Sequence, residues 1–272
     1  MTRTQRAIEE HRRGEACVEV RDRAGRPRAG VPVWAEQEAH AFAFGCAAPD
    51  LGALAEPDRR RCAERLGELF NRIIPAGEPP DPGVLRFDVP DAVHLGRLRA
   101  ELDRLAPAGV PLHVYVRGRC VGSAEPLCES SSRGEGEATY KGGGEDERAA
   151  AERLAALYSL CFAHPAVGGI FWVGFWDGEE GAGGGGLLRR DFAPKPAFRY
   201  LQKLIGTVWH TRASGATDAA GRFRFRGFRG DYRVAARAGE EPATTGRLTL
   251  REGVEGRVVL EVPGGTGDRV RS

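Results

Sequence analysis

Residues 122 to 146 read GSAEPLCESSSRGEGEATYKGGGED, a run of Ser, Gly and Glu with almost no apolar side chains. Such a tract buries too little surface to offset the entropy of ordering it, so it is expected to be a loosely held linker. It follows directly on HVYVR, 113 to 117, a β-branched and aromatic run of the kind that forms a buried strand. Any sheet containing that strand must therefore draw its other members from segments on either side of a 25-residue break.

Upstream, CVEVRDRAGRPRAGVPVWAEQ (17 to 37) predicts two short strands around a turn region from Gly25 to Gly30, and HAFAFGCA (40 to 47) a third. Cys62, Leu66, Leu69, Phe70 and Ile73 then recur at helical spacing on a charged helix. After the prolines at 75 to 82, Asp91 is placed to cap a helix bearing Leu95, Leu98, Leu102 and Leu105, ended by Gly109. Strand, helix, strand, helix, strand is the order of a parallel α/β sheet or barrel. Downstream of the tract a helix is expected over 146 to 163, with Leu154, Leu157, Tyr158, Cys161 and Phe162 on one face. VGGIFWVGFW is expected to be a strand and KPAFRYLQKLIG a helix. In the tail, Phe223 and Phe225 alternate with Arg222, Arg224 and Arg226, the period of two that marks a strand with one dry face.

Charge is balanced, with 40 Lys+Arg against 38 Asp+Glu, so no global field calls for an acidic partner. No apolar run reaches the roughly 18 residues of a membrane helix, and the start MTRTQRAIEEHRRGE has no signal-peptide core. Six cysteines lack CxxC spacing, and His40, His113 and His164 have no partner at metal-ligand spacing. Neither a metal nor a cofactor is expected. Gly183 to Gly186 lacks the Lys-Ser/Thr of a phosphate loop and is read as a flexible rim.

Eight blocks in order, HAFAFGCA, LGELFNRIIP, GVLRFDVPDAV, VRGRC, FAHPAVGGI, GFWDG, LLRRDFAPKPAF and LIGTVWHT, resemble glycoside hydrolase family 10, the endo-1,4-β-xylanases. They cover most of residues 36 to 212. The resemblance implies an α/β fold, a partial (β/α)8 barrel-like region with the cleft at the carboxyl ends of its strands. A small antiparallel β unit, formed by the C-terminal tail and possibly with the N-terminal strands, would accompany it. It further implies a retaining mechanism using two glutamates about 5 Å apart, one acid/base and one nucleophile. The implied organisation is N-terminal strands at 1–38, barrel-like regions at 39–121 and 147–210, the 122–146 linker in place of missing strands, and a β unit at 211–264.

The departures bear on the chemistry. In one frame VRGRC is the end of the third barrel strand and Arg119 stands where the family has a cleft histidine. An arginine is always charged and cannot serve as the neutral donor and acceptor an imidazole provides. In a second frame, ELDRLAPAGVPLHVYV enters the seventh strand, and Val116 stands where the nucleophile belongs. Neither the Asn-Glu-Pro nor the Thr-Glu block of the family is present in either frame. Glu78, in PAGEPPDP, is the weak catalytic candidate; Asp177, Glu179 and Glu180 follow a strand end and read as loop carboxylates. Trp176 and Asp177 match the family's sugar-binding cleft, and Arg119 would line it. Trp172, shifted by one residue from the family's tryptophan, is expected to turn into the core.

Three readings follow. One is a xylanase-like protein of polysaccharide metabolism with hydrolysis weak or lost. The second is a non-catalytic binder of β-1,4-linked polysaccharide or xylo-oligosaccharide. The third is a nonfunctional fragment of a longer xylanase. The interleaved arginines and aromatics of the tail are read as a wet strand face and not as a nucleic-acid site, and no membrane partner is expected. A homo-oligomer in which two copies complete one barrel remains open. The family is commonly extracellular. Finally, the segments 17 to 35 and 221 to 237 resemble strands of one prealbumin-like sandwich, which would pair the two ends of the chain around the α/β part.

Overall fold

A computed structural model describes residues 1–75, 84–88, 92–108, 111–117, 144–179 and 184–263. In chain order the elements are α1 Arg3–Arg12, β1 Arg13–Asp22, β2 Pro32–His40, β3 Ala43–Ala47, α2 Asp58–Leu69, β4 Arg72–Ile74, β5 Val84–Asp88, α3 Ala92–Leu105 and β6 Leu112–Arg117. They continue with α4 Gly144–Ala163, β7 Val167–Val173, α5 Pro196–Lys203, β8 Arg212–Ala216, β9 Arg222–Phe228, β10 Gly230–Ala236, β11 Thr244–Leu250 and β12 Gly256–Val262. The chain is mixed α/β, with one parallel, one antiparallel and one mixed sheet, and divides into two compact units: Met1–Ala43 with Ile205–Ser272, and Phe44–Leu204.

The first unit joins the two ends of the chain. β1 lies between β12, to which it is parallel, and β9, to which it is antiparallel; the second sheet runs β11-β10-β2-β8. Alternation sends Val18, Val20, Val33, Ala35, Phe225, Tyr232, Val234, Leu248, Leu250 and Leu260 into one shared core. At one end, the turn after β1 is tied by Asp22, whose Oδ1 accepts from the amides of Ala24 and Arg26, both at 2.9 Å, before Gly25 turns the chain at φ +77°. Gln37 and Thr211 exchange backbone and side-chain hydrogen bonds across the sheet, and the Thr211 hydroxyl accepts from the amide of Phe228 at 2.9 Å. The sequence reading assigned strands alone to residues 1 to 38, whereas α1 precedes them. Its signal is Thr2-x-x-Gln5, a capping box in which the Thr2 hydroxyl accepts from the Gln5 amide at 3.2 Å and Gln5 returns a bond to the Thr2 amide at 2.8 Å.

The second unit is a five-stranded sheet ordered β4-β3-β7-β6-β5, in which β3 and β4, β5 and β6, and β6 and β7 pair in parallel. Helix α4 buries Leu154, Leu157, Tyr158, Cys161 and Phe162, the stripe its periodicity predicts. Helix α2 buries Cys62, Leu66 and Leu69 but stops there; Ile73, counted into its stripe from spacing, lies in β4 and is exposed. The cause is tertiary. The Asn71 amide donates to the Phe44 carbonyl at 2.9 Å and its side-chain oxygen accepts from the Phe44 amide at 3.0 Å, so β3 captures the backbone one turn before the apolar spacing ends.

Taken as a third strand following the second, the 112–117 segment would lie beside β4. In the sheet, β3 and β7 separate them. A strand has two edges, and those of β3 are taken by β4 and β7. Gly45 makes the second pairing close: a Cβ there would fall 2.2 Å from the Phe171 ring of β7. β6 takes the other side of β7, in parallel, and not a place beside β4.

Candidate functional site

The carboxyl end of β7 leads into a loop whose described parts, 174–179 and 184–195, are tied down by several contacts. Gly174 turns the chain at φ +76°, which sends the Phe175 side chain into the core near Phe70 and Phe198 at ring distances of 5.7 and 6.4 Å. Trp176 bridges to Leu188, and Leu188 in turn to Pro194. The indole of Trp176 stacks on Phe192 with centroids 4.9 Å apart and planes 9° from parallel, and its Nε1 donates to the Arg190 carbonyl at 3.0 Å. Phe192 holds φ at +63°, a conformation that costs a residue with a Cβ on the order of 1 kcal/mol or more. The backbone is spent on bringing that ring beneath the tryptophan. Gly178 lies so close to the indole that a Cβ would come within 2.1 Å of Cζ2.

An ion pair staples the loop. Lys195 Nζ lies 2.7 Å from Asp177 Oδ2 and donates to the Gly184 carbonyl at 2.7 Å, while Asp177 Oδ1 accepts from the Gly186 amide at 2.9 Å. Both side chains are mostly buried, at 12% and 15% exposure. Beside them Arg189 pairs with Glu147 at 2.7 Å, and Glu179 Oε2 accepts from the Phe175 amide at 3.0 Å. Among the described residues, the Asp177 and Glu179 carboxylates therefore hold the loop. Trp176 is left half-buried on a rigid support, which equips the site to bind a flat apolar face.

Of the residues singled out from sequence, Trp176 and Asp177 come together here, whereas Glu78, Arg119 and Glu180 lie outside the described residues. Trp172 is in the core at 2% exposure, with its Nε1 donating to the Gly174 carbonyl at 2.9 Å. Val116, at the end of β6, is fully buried. Phe192 and Lys195 were missed: only their presence in the LLRRDFAPKPAF block, and no local pattern, marked them.

Other reactive groups are quiet. Cys17, Cys46, Cys62 and Cys161 are free and buried; burial pushes the Cys46 thiol well up and that of Cys62 to about 11, so neither is a thiolate near neutral pH. Burial, reinforced by His210, lowers His40 to about 4 and keeps its ring neutral. Among the described residues no three His, Cys, Asp or Glu side chains are grouped to hold a metal, and no helix is long and apolar enough to cross a membrane. The tail arginines are committed to carboxylates: Arg222 to Glu19 at 3.1 Å, Arg224 to Asp218 at 3.5 Å and Arg226 to Glu15 at 3.5 Å.

No family model matches the chain. Over 90 residues, 33% of its length, it is 39% identical to the anti-sigma-I factor RsgI6 of Acetivibrio thermocellus, and the match spans 12% of that protein. Among solved structures it is similar to xylanase 10B from Thermotoga petrophila RKU-1 in complex with xylobiose, with 18% identity and a TM-score of 0.32 over 61% of this chain and 46% of that one. Native xylanase 10B from Thermotoga maritima gives 21% identity and a TM-score of 0.29 over the same shares. The pilus backbone RrgB of Streptococcus pneumoniae gives 8% identity and a TM-score of 0.23 over 92% of this chain and 41% of that one. The chain thus bears a distant structural resemblance to family 10 xylanases over 61% of its length and spans about an eighth of the curated relative.

Proposed function

We propose that the protein recognises a β-1,4-linked polysaccharide of the xylan type without appreciable hydrolysis, using an aromatic platform left on an arc of a xylanase-like barrel. The sheet order β4-β3-β7-β6-β5 is that of strands two, one, eight, seven and six of a closed eight-stranded barrel. On that reading the missing strands fall between Ile74 and Val84 in the chain, whereas the Gly- and Ser-rich tract lies outside the described residues. The strand that would carry the nucleophile then presents Val116. Asp177 would position the platform through Lys195, and Arg119, outside the described residues, is proposed as a further sugar contact.

The observation that carries this reading is the Trp176–Phe192 stack, pinned by a buried ion pair at the carboxyl end of β7. A rigid indole suits the C–H face of a pyranose, and holding it in place lowers the entropy lost on binding. The name of the curated relative, an anti-sigma factor, is that of a regulator and agrees with recognition in place of turnover.

Titration of the full chain with xylo-oligosaccharides, followed by tryptophan fluorescence and calorimetry, tests it. Saturable binding should weaken about tenfold in Trp176→Ala, equivalent to ~1.4 kcal/mol. Steady release of reducing sugar from xylan, abolished by Glu78→Gln, would instead establish an enzyme, and absence of binding by either method would leave only shared ancestry.

A further inference from the structure

We infer a second glycan-binding surface on the outer face of the β11-β10-β2-β8 sheet, centred on Trp34 and suited to a sugar chain that carries carboxylates. Trp34 is 45% exposed in the middle of a strand, although alternation could have offered water a polar residue there. Its cross-strand neighbours are small: Ala235 on one side and Ser214 on the other, with Thr245 beyond Ala235. The indole therefore rises from a floor of methyl and hydroxyl groups, open to a planar ligand. The next row along the sheet is charged, reading Arg247, Arg233, Glu36, Arg212 from β11 to β8. Arg212 is paired with Glu36 at 2.9 Å and Arg233 with Glu38 at 3.2 Å. Arg247 makes no ion pair among the described residues, and it stands two strands from Trp34, about 10 Å across the sheet.

One exposed aromatic platform with one unspent guanidinium a sugar residue or two away fits a pyranose chain bearing an occasional uronic-acid carboxylate. A single-stranded nucleic acid fits less well. It brings a phosphate with every unit, and Glu36 and Glu38 on the same face would repel that line of charge.

The test uses the full chain, with glucuronoxylan, the same polymer with its carboxyls reduced to alcohols, and a deoxythymidine oligonucleotide as probes in affinity electrophoresis and calorimetry. Wild type should bind glucuronoxylan, and Trp34→Ala should lose at least tenfold. Arg247→Gln should lose three- to tenfold on the acidic polymer and nothing on the reduced one. That Arg247 dependence should persist in Trp176→Ala, which separates this surface from the β7 loop. Both substituted side chains are exposed, and circular dichroism confirms that the variants fold. Unchanged binding by Trp34→Ala overturns the proposal, as does preference for the oligonucleotide. So does a wild-type dimer in sedimentation that Trp34→Ala dissolves, which would make the face a contact between copies.

Discussion

Two carboxylates, Glu19 on the outer face of the β12-β1-β9 sheet and Asp177 in the loop after β7, are each held by cations, but by opposite means. Glu19 is 5% exposed and takes bonds from Arg257 at 2.6 Å, Arg21 at 3.0 Å and Arg222 at 3.1 Å, all from guanidiniums that are themselves about half exposed. Asp177 pairs directly with Lys195, which is as buried as its partner, while Arg189 acts on it at longer range. In the first arrangement water still solvates the positive side, and losing one arginine leaves two. In the second both charges are mostly buried, so water does little to replace either partner. The redundant cluster lets a sheet face tolerate exchange, while the staple after β7 is a single buried ion pair supported by neutral hydrogen bonds around the Trp176 platform.

The largest effect should come from breaking the staple. Lys195→Met leaves the Asp177 carboxylate mostly buried with the Gly186 amide and the more distant Arg189 for compensation, which should cost about 2–4 kcal/mol, a little under the full penalty of a broken buried pair. Thermal unfolding of Lys195→Met should fall several degrees, and Asp177→Asn added to it should restore much of the loss. A Lys195→Met protein as stable as wild type would remove the contrast between the two regions.

That contrast was only half legible in the sequence. Trp176 and Asp177 could be singled out because they sit together in one matched block, and the stripe of α4 because five buried side chains keep a helical period. The partner Lys195 lies 18 residues from Asp177, and Phe192 reaches the indole through a φ of +63°. No local pattern encodes either fact. The same limit explains Ile73, whose spacing continued a helix that hydrogen bonds from β3 had already ended. It also explains β6. A β-branched and aromatic run marks a buried strand but cannot say which neighbours it takes; the parallel pairings with β5 and β7 supply that. At Glu19, register sets Arg222 directly opposite on β9, whereas Arg257 on β12 stands opposite Cys17; both arginines lie more than 200 residues away in the chain.

A middle effect is expected at Glu19. Glu19→Gln removes the charge from three charge-assisted hydrogen bonds, and with half-exposed partners the loss should be about 1–2 kcal/mol near neutral pH. The pH dependence has a defined sign. The hydrogen bond from Arg257, aided by Arg21 and Arg222, lowers the Glu19 pKa below its ordinary 4.5, so the folded state favours the ionised form more than the unfolded state does. Its contribution is complete above the ordinary value and disappears as pH falls through the lowered one. Melting temperatures of wild type and Glu19→Gln should therefore differ most at neutral pH and converge in acid; a gap that widens below pH 4 would contradict the assignment.

The smallest effect should be at Arg224, opposite Cys17 in the register of β1 and β9. Its pair with Asp218 is 3.5 Å long and about half exposed on both sides, so water screens it and Arg224→Ala should change stability by less than about 0.5 kcal/mol. Asp218 has other work, since its Oδ1 accepts from the amides of Ala220 and Arg222, both at 2.9 Å, in the turn that leads into β9. Removing the arginine leaves those bonds intact, whereas Asp218→Ala should cost about 1 kcal/mol through the turn. Arg224→Ala thus separates a guanidinium that merely sits on the sheet face from the three that converge on Glu19. If chemical denaturation showed it to be as damaging as Glu19→Gln, burial of the carboxylate would not be what distinguishes the cluster, and the whole arginine face would have to act as one network.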